Sequence, residues 1–173
     1  MDAPPTVRSA RPTDFETLRA IEVAAGARFR EIGMPEIADD DPMSDEVLAA
    51  YADGGRSWVA VDSDGLPLGY AVVDVVEGCA HLEQISVDPA RQGKGVGRAL
   101  IAEIERWARS NNMDAVTLAT FVHVPWNAPL YAHLGFRALR EDELTPGLKE
   151  IVQREAVHGL DMKERVCMRR DVP

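Results

Sequence analysis

The chain has only two cysteines in 173 residues, Cys79 and Cys167. They stand far apart, without a C-x-x-C spacing or a histidine partner, which excludes a disulfide framework and the usual metal-site patterns. They read as reduced core thiols, although a sheet can bring them together. No apolar run approaches the ~18 residues needed to cross a bilayer, so no membrane partner is expected. The opening Met1-Asp2-Ala3-Pro4-Pro5 has neither a basic start nor an apolar segment. The reading therefore expects no secretory signal and a cytoplasmic protein. Positive charge is in deficit: 19 Lys and Arg face 29 Asp and Glu, a formal net charge of −10. A nucleic-acid surface wants a basic stripe, so no nucleic-acid partner is expected. An acidic surface favours solubility, and it also draws in cationic molecules such as amines.

Against this background one stretch is basic and glycine-rich. Leu82 to Val87 is short, apolar and partly β-branched, as suits a strand. Asp88-Pro89 stops it, because proline has no N–H for a ladder. Gly93, Gly95 and Gly97 follow within five residues. Then Val96, Leu100, Ile104 and Trp107, with Ala99, Ile101 and Ala108 beside them, recur at helical spacing. The first turn of such a helix offers unpaired N–H groups and a positive dipole end. Glycines let a phosphate approach that backbone, and Arg91, Lys94 and Arg98 add charge. The same glycines also suit a tight turn with no ligand at all. No G-x-x-x-x-G-K-[ST] string occurs, and the third glycine is misplaced for a G-x-G-x-x-G dinucleotide fingerprint.

The length fits one domain over residues 1–173 with a core of its own. Thr6 to Ala10 reads as a strand. Thr13-Asp14-Phe15-Glu16 reads as a capping box before a helix with Phe15, Leu18, Ile21 and Ala25 on one face. Residues 27–44 are less regular and end in Asp39-Asp40-Asp41-Pro42, which is either a solvated loop or a place to hold an ammonium group. Ser44 is positioned to cap a helix carrying Val47, Leu48 and Tyr51, ended by Gly54-Gly55. Ser57–Val61, Leu68–Val76 and Cys79–Val87 read as an antiparallel meander, and Ala115–Phe121 as a further strand. The helix between the last two implies a crossover and a parallel pair. Phe136 to Leu139 reads as strand. Pro146 to His158 reads as a helix stopped by Gly159, and Arg165 to Met168 as a closing strand.

Gln92, Gly95 and Gly97, directly after Ile85-Ser86-Val87-Asp88-Pro89, resemble the Q/R-x-x-G-x-G/A acyl-CoA signature of the GNAT superfamily of N-acetyltransferases. Asn127-Ala128-Pro129-Leu130-Tyr131-Ala132-His133-Leu134-Gly135-Phe136 is similar to that family's second signature. The resemblance implies an α/β fold: a central mixed, mostly antiparallel sheet with a splayed parallel pair, flanked by helices. It implies acetyl-CoA as co-substrate and no metal. Its cofactor contacts would be Ile85, Ser86, Val87, Gln92, Gly93, Lys94, Gly95, Val96, Gly97 and Arg98, with the pantetheine arm added along the strand end. Asn127 either touches the cofactor or only caps its helix, since the position where many members have asparagine is Val124 here. Tyr131 would protonate the leaving thiolate.

The acceptor also needs a base. Removing a proton from a lysine-like amine at pH 7 costs roughly 4.6 kcal/mol. His81 and Glu83 fall on one face of their strand by two-residue alternation. His81-Leu82-Glu83 is similar to the strand of arylalkylamine N-acetyltransferases, which carry a histidine pair at these positions. Glu83 is the first candidate base, direct or through water, and His81 the second; both also suit the wet face of an ordinary strand. The expected activity is direct acetyl transfer, in a ternary complex, to a primary amine on a small molecule. The alternatives are a protein N-terminus or lysine as acceptor, or an acyl-CoA-binding module without catalysis. A homodimer is the commonest closed assembly for such a domain.

Overall fold

The computed structural model describes residues 3–157 and 164–173. The opening strand is β1 (Thr6–Ser9) and the helix after it is α1 (Phe15–Gly26). Phe15, Leu18 and Ile21 are buried along its apolar face. The cap differs from expectation. Thr13 lies inside a single 3-10 turn, Pro12–Asp14, and Asp14 is the residue before the helix. The Asp14 carboxylate accepts from the Arg11 N–H at 2.8 Å and from the Arg8 guanidinium at 2.8 and 2.9 Å. Burial pushes this carboxyl up, but Arg8 and the Arg11 N–H outweigh it and hold it below its ordinary range. A bidentate charged pair has displaced the neutral threonine cap.

The irregular stretch contains two one-turn helices, α2 (Arg28–Glu31) and α3 (Pro35–Ala38). Asp39, Asp40 and Asp41 are exposed, and Asp39 pairs with Arg30. The next helix is α4 (Asp45–Asp53), where Ser44 Oγ accepts the Val47 N–H at 3.2 Å, as its cap position predicts. Leu48 turns inward while Val47 is exposed. The meander is β2 (Ser57–Val61), β3 (Pro67–Val76) and β4 (Cys79–Val87), followed by α5 (Val96–Ser110) and β5 (Ala115–Phe121). Then come α6 (Ala128–His133), β6 (Arg137–Ala138), α7 (Pro146–Val157) and β7 (Arg165–Asp171). The Gly159 stop expected for α7 lies outside the described residues.

The seven strands form one mixed sheet in the order β1-β2-β3-β4-β5-β7-β6. Its parallel pair is β4–β5, joined through Ala80↔Val116, His81↔Thr117 and Leu82↔Leu118. Each strand continues past that ladder, β4 to Val87 and β5 to Phe121. The last strand enters the sheet between its two predecessors, pairing antiparallel with β5 from Ala115↔Asp171 to Phe121↔Arg165 and with β6 on its other side.

Packing divides the chain into two units. One holds residues 3–73 and 84–103, around Phe15, Leu18, Leu48, Val59, Val61, Tyr70 and Val72. There the β3–β4 approach is tight at Gly69: a Cβ on it would lie 2.8 Å from the Ser86 carbonyl oxygen. The other unit holds residues 74–83 and those described from 104 onward, with Leu148, Ile151 and Cys167 packed together. Cys79 and Cys167 are free and buried. Among the described residues no helix is long and apolar enough to cross a membrane, and no group of three potential metal ligands occurs.

Candidate active site

The cofactor-type loop belongs to the first unit and is built by short-range bonds. The Asp88 N–H donates to the Leu68 carbonyl at 2.8 Å, Asp88 Oδ1 accepts the Ala90 N–H at 3.0 Å, and the Arg91 N–H returns to the Asp88 carbonyl at 2.8 Å. These bonds set the single turn Pro89–Arg91 that ends β4. Beyond it Gly93 and Gly95 have φ of 77° and 82°, a left-handed backbone that side-chain-bearing residues rarely adopt. Gln92, Gly93, Lys94, Gly95 and Arg98 are exposed, while Val96 is buried as the first core residue of α5. Arg28 of α2 donates to Gln92 Oε1. Before the loop, Gln84 Nε2 donates to the buried Ser86 Oγ at 2.8 Å, while Ile85 and Val87 are half-buried. The loop thus presents a helix start, two left-handed glycines and basic side chains, which fit a diphosphate.

The expected acid and bases belong to the second unit. His81 is 1% exposed, and its Nδ1 lies 2.9 Å from Thr117 Oγ1 on β5. Burial lowers it to about 4, with Arg154 and Arg165 acting in the same sense against Asp74. It is a neutral, buried imidazole at physiological pH. Glu83 is open to solvent on one side. Enough protein still surrounds its carboxyl that desolvation, first, raises it to about 7; Asp74 and Glu155 add to the rise and Arg154 opposes it.

Tyr131 stands on α6, its ring edge-on to Phe136 with centroids 5.9 Å apart. Desolvation raises its phenol to about 12, against the pull of Arg165. Arg165 is itself clamped: its Nη2 donates to Glu155 Oε2 at 2.6 Å and its guanidinium lies 4.7 Å from the Phe121 ring centre. Asn127 makes no capping bond with its side chain; Thr120 Oγ1 donates to its Oδ1 at 2.6 Å. That bond fixes the amide and turns its NH2 donors elsewhere.

A sequence profile of the Acetyltransferase (GNAT) family matches residues 21–136, two-thirds of the chain and both signatures. The chain belongs to the GNAT acetyltransferase family. Among relatives of this GNAT protein is the aminoglycoside N(6′)-acetyltransferase type 1 of Stenotrophomonas maltophilia. It is 36% identical over 115 residues, covering 61% of this chain and 68% of that one. The streptothricin acetyltransferase of Streptomyces lavendulae is 29% identical over 151 residues, covering 75% and 79%. The fold matches N-acetylglutamate synthase from Neisseria gonorrhoeae, complexed with coenzyme A and N-acetyl-glutamate. There the TM-score is 0.72 at 20% identity, over all of this chain and 36% of that one. The GNAT protein is accordingly an acyltransferase, and its sheet is the family's sheet.

Some charged residues around these side chains left little trace in the sequence. Asp74 left a signal, a charge inside the otherwise apolar Leu68-Gly69-Tyr70-Ala71-Val72-Val73-Asp74-Val75-Val76. Glu155 and Arg165 left none, because their meeting depends on where α7 lies in its unit. In the first unit Glu22 of α1 was likewise silent. It accepts the Tyr70 hydroxyl at 3.0 Å and the Met43 N–H at 2.7 Å, and burial raises its carboxyl above the ordinary range.

Proposed function

We propose that the protein transfers the acetyl group of acetyl-CoA to a primary amine on a small molecule, directly and without an acyl-enzyme. The observation that carries this reading is Glu83: a solvent-open carboxyl held near 7, on the strand that runs into the acyl-CoA signature. A base with that pKa is about half ionised at pH 7 and is better matched to an ammonium than an ordinary carboxylate is. Glu83 takes one proton from the ammonium. The free amine then attacks the thioester carbonyl, the C–S bond breaks, and the Tyr131 hydroxyl supplies the proton that the thiolate needs. The second nitrogen proton, shed as the amide forms, restores the Tyr131 hydroxyl, and Glu83 returns its proton to solvent. Gln92 to Arg98 hold the diphosphate, and the backbone of Ile85, Ser86 and Val87 receives the pantetheine amides. Asn127, its oxygen engaged by Thr120, offers its NH2 to the same ligand. His81, sealed against Thr117, supports the strand rather than exchanging protons.

A small-molecule acceptor is supported by the names of the relatives, which act on aminoglycosides and streptothricin. The test is release of free CoA from acetyl-CoA with a panel of aliphatic, aromatic, aminosugar and polyamine acceptors, for wild type and Tyr131→Phe. Turnover with one amine class, lost in the variant, is the expected result. Tight acetyl-CoA binding without turnover on any amine would move the reading to a protein acceptor, or to an acyl-CoA-binding module.

A further inference from the structure

Two bonds at the ends of the β5–β7 ladder set its alternation. The Val122 N–H donates to the Glu164 carbonyl at 2.7 Å, and the Val172 N–H donates to the Asp114 carbonyl at 2.9 Å. Both continue the register of the two strands, so Val116, Leu118 and Thr120 between them bond to β7. Thr117, Ala119 and Phe121 therefore turn their backbone groups the other way, towards β4. The ladder with β4 ends at Leu82↔Leu118. Continued by one bond, it would reach the Ala119 carbonyl. That carbonyl is taken by a side chain instead: Arg165 Nη2 donates to it at 3.3 Å.

Arg165 stands opposite Phe121 in the β7 register, and its guanidinium lies 4.7 Å from that ring's centre. The same Nη2 donates to Glu155 Oε2 of α7 at 2.6 Å, so the helix tethers the guanidinium. All of these residues belong to the second unit. The Arg165 side chain is only 10% exposed, and its Nε is buried with no hydrogen-bond partner. Burying a guanidinium with an unpaired N–H is costly, and an apolar residue would close this end of the sheet at less cost. What the guanidinium blocks gives the charge a purpose.

We propose that Arg165 is a positioning residue that ends the parallel ladder. Its guanidinium occupies the Ala119 carbonyl, so β4 cannot zip further onto β5, and the β4 backbone from Gln84 to Val87 is reserved for a ligand. Resting on the acetyl-transfer reading, that ligand is the pantetheine arm of acetyl-CoA. An arginine that only stabilised the sheet would, on removal, lower the protection of many amides together. One that stops the ladder must, on removal, raise the protection of a single amide. That amide is the Gln84 N–H, by alternation with Leu82 the next donor of β4 on that side.

The test is amide hydrogen exchange, followed by NMR on the folded enzyme without ligand, with the Leu118 N–H reporting on the sheet as a whole. Arg165→Met is combined with Glu155→Gln, so that no carboxylate is left without its cation. Relative to Leu118, the Gln84 N–H should exchange about 10-fold more slowly than in wild type. Acetyl-CoA should bind about five-fold more weakly, the effect of roughly one hydrogen bond. Arg165→Lys, which keeps a donor and the charge, should return both towards wild type. Arg165→Leu alone makes the same test should the double variant fold poorly. A folded Met or Leu variant in which Gln84 exchanges no more slowly overturns the proposal. A newly protected Gln84 with unchanged acetyl-CoA affinity overturns the positioning role. Because exchange needs no turnover, an enzyme that acetylates none of the amines sinks the functional reading and leaves this measurement standing.

Discussion

Tyr131 is placed by both its backbone and its ring. Its N–H donates to the Asn127 carbonyl at 3.0 Å, its own carbonyl accepts the Phe136 N–H at 3.0 Å, and its ring meets Phe136 edge-on. Tyr131→Phe keeps all of these and removes one oxygen. It should lower kcat by about 10²-fold or more while leaving the acetyl-CoA KM and the melting temperature close to wild type. An unchanged kcat would remove Tyr131 from the chemistry. Glu83 and His81 act oppositely on stability. Folding raises the Glu83 pKa, so its ionisation weakens the fold as pH rises from 4.5 through about 7. Glu83→Gln should therefore raise the melting temperature at about pH 8 and change it little at about pH 4. Folding lowers the His81 pKa, so the stability it contributes is complete above 6.5 and is lost as pH falls towards about 4. His81→Asn should flatten the fall in melting temperature across that interval. Equal slopes in variant and wild type would mean that His81 is not buried neutral.

At the scale of elements, the β3–β4 approach at Gly69 is the place where a methyl group does most. Its Cβ would meet the Ser86 carbonyl oxygen at 2.8 Å and a Val96 methyl at 3.0 Å, and the backbone atom cannot swing aside. Gly69→Ala should cost about 1–3 kcal/mol in denaturant unfolding, and it should weaken acetyl-CoA binding by displacing Ser86 and Val87. A variant that loses stability but binds as tightly would separate this contact from the cofactor strand. Elements with one dominant local signal were legible beforehand. Cys79–Val87, Ser57–Val61 and Ala115–Phe121 alternate or run apolar between clear stops, and their bounds were read as observed. The Ser44 cap was readable for the same reason. The Thr13 box was not, because a guanidinium six residues from Asp14 won that carboxylate's neighbourhood. On the site, alternation and motif singled out Glu83 and Tyr131 as candidates, and their roles belong to the proposed mechanism. Asp74, Glu155 and Arg165 meet only through tertiary packing, which no spacing encodes.

For the whole molecule, the proposed binding of a diphosphate by the Gln92–Arg98 loop links ligand binding to global stability. Acetyl-CoA at ~100 times its dissociation constant should add about 2.7 kcal/mol to unfolding, read as a rise in melting temperature. ATP or NAD at equal concentration should add much less, since neither has a counterpart to the pantetheine amides proposed to lie along Ile85 to Val87. Equal shifts from all three would reduce the site to a general phosphate cradle.

The position of β7 has a consequence for how the chain is made. β5 takes β7 as a partner along its whole length, and the two-residue β6 pairs with that same strand. During synthesis β5 leaves the ribosome dozens of residues ahead of β7, an interval of a few seconds at ~5–20 residues per second. For that time Ala115-Val116-Thr117-Leu118-Ala119-Thr120-Phe121 presents an apolar, unsatisfied edge, open to pairing with a neighbouring nascent chain. The hazard of aggregation therefore falls on polysomes and on truncated translation products, and it ends when β7 covers the β5 edge.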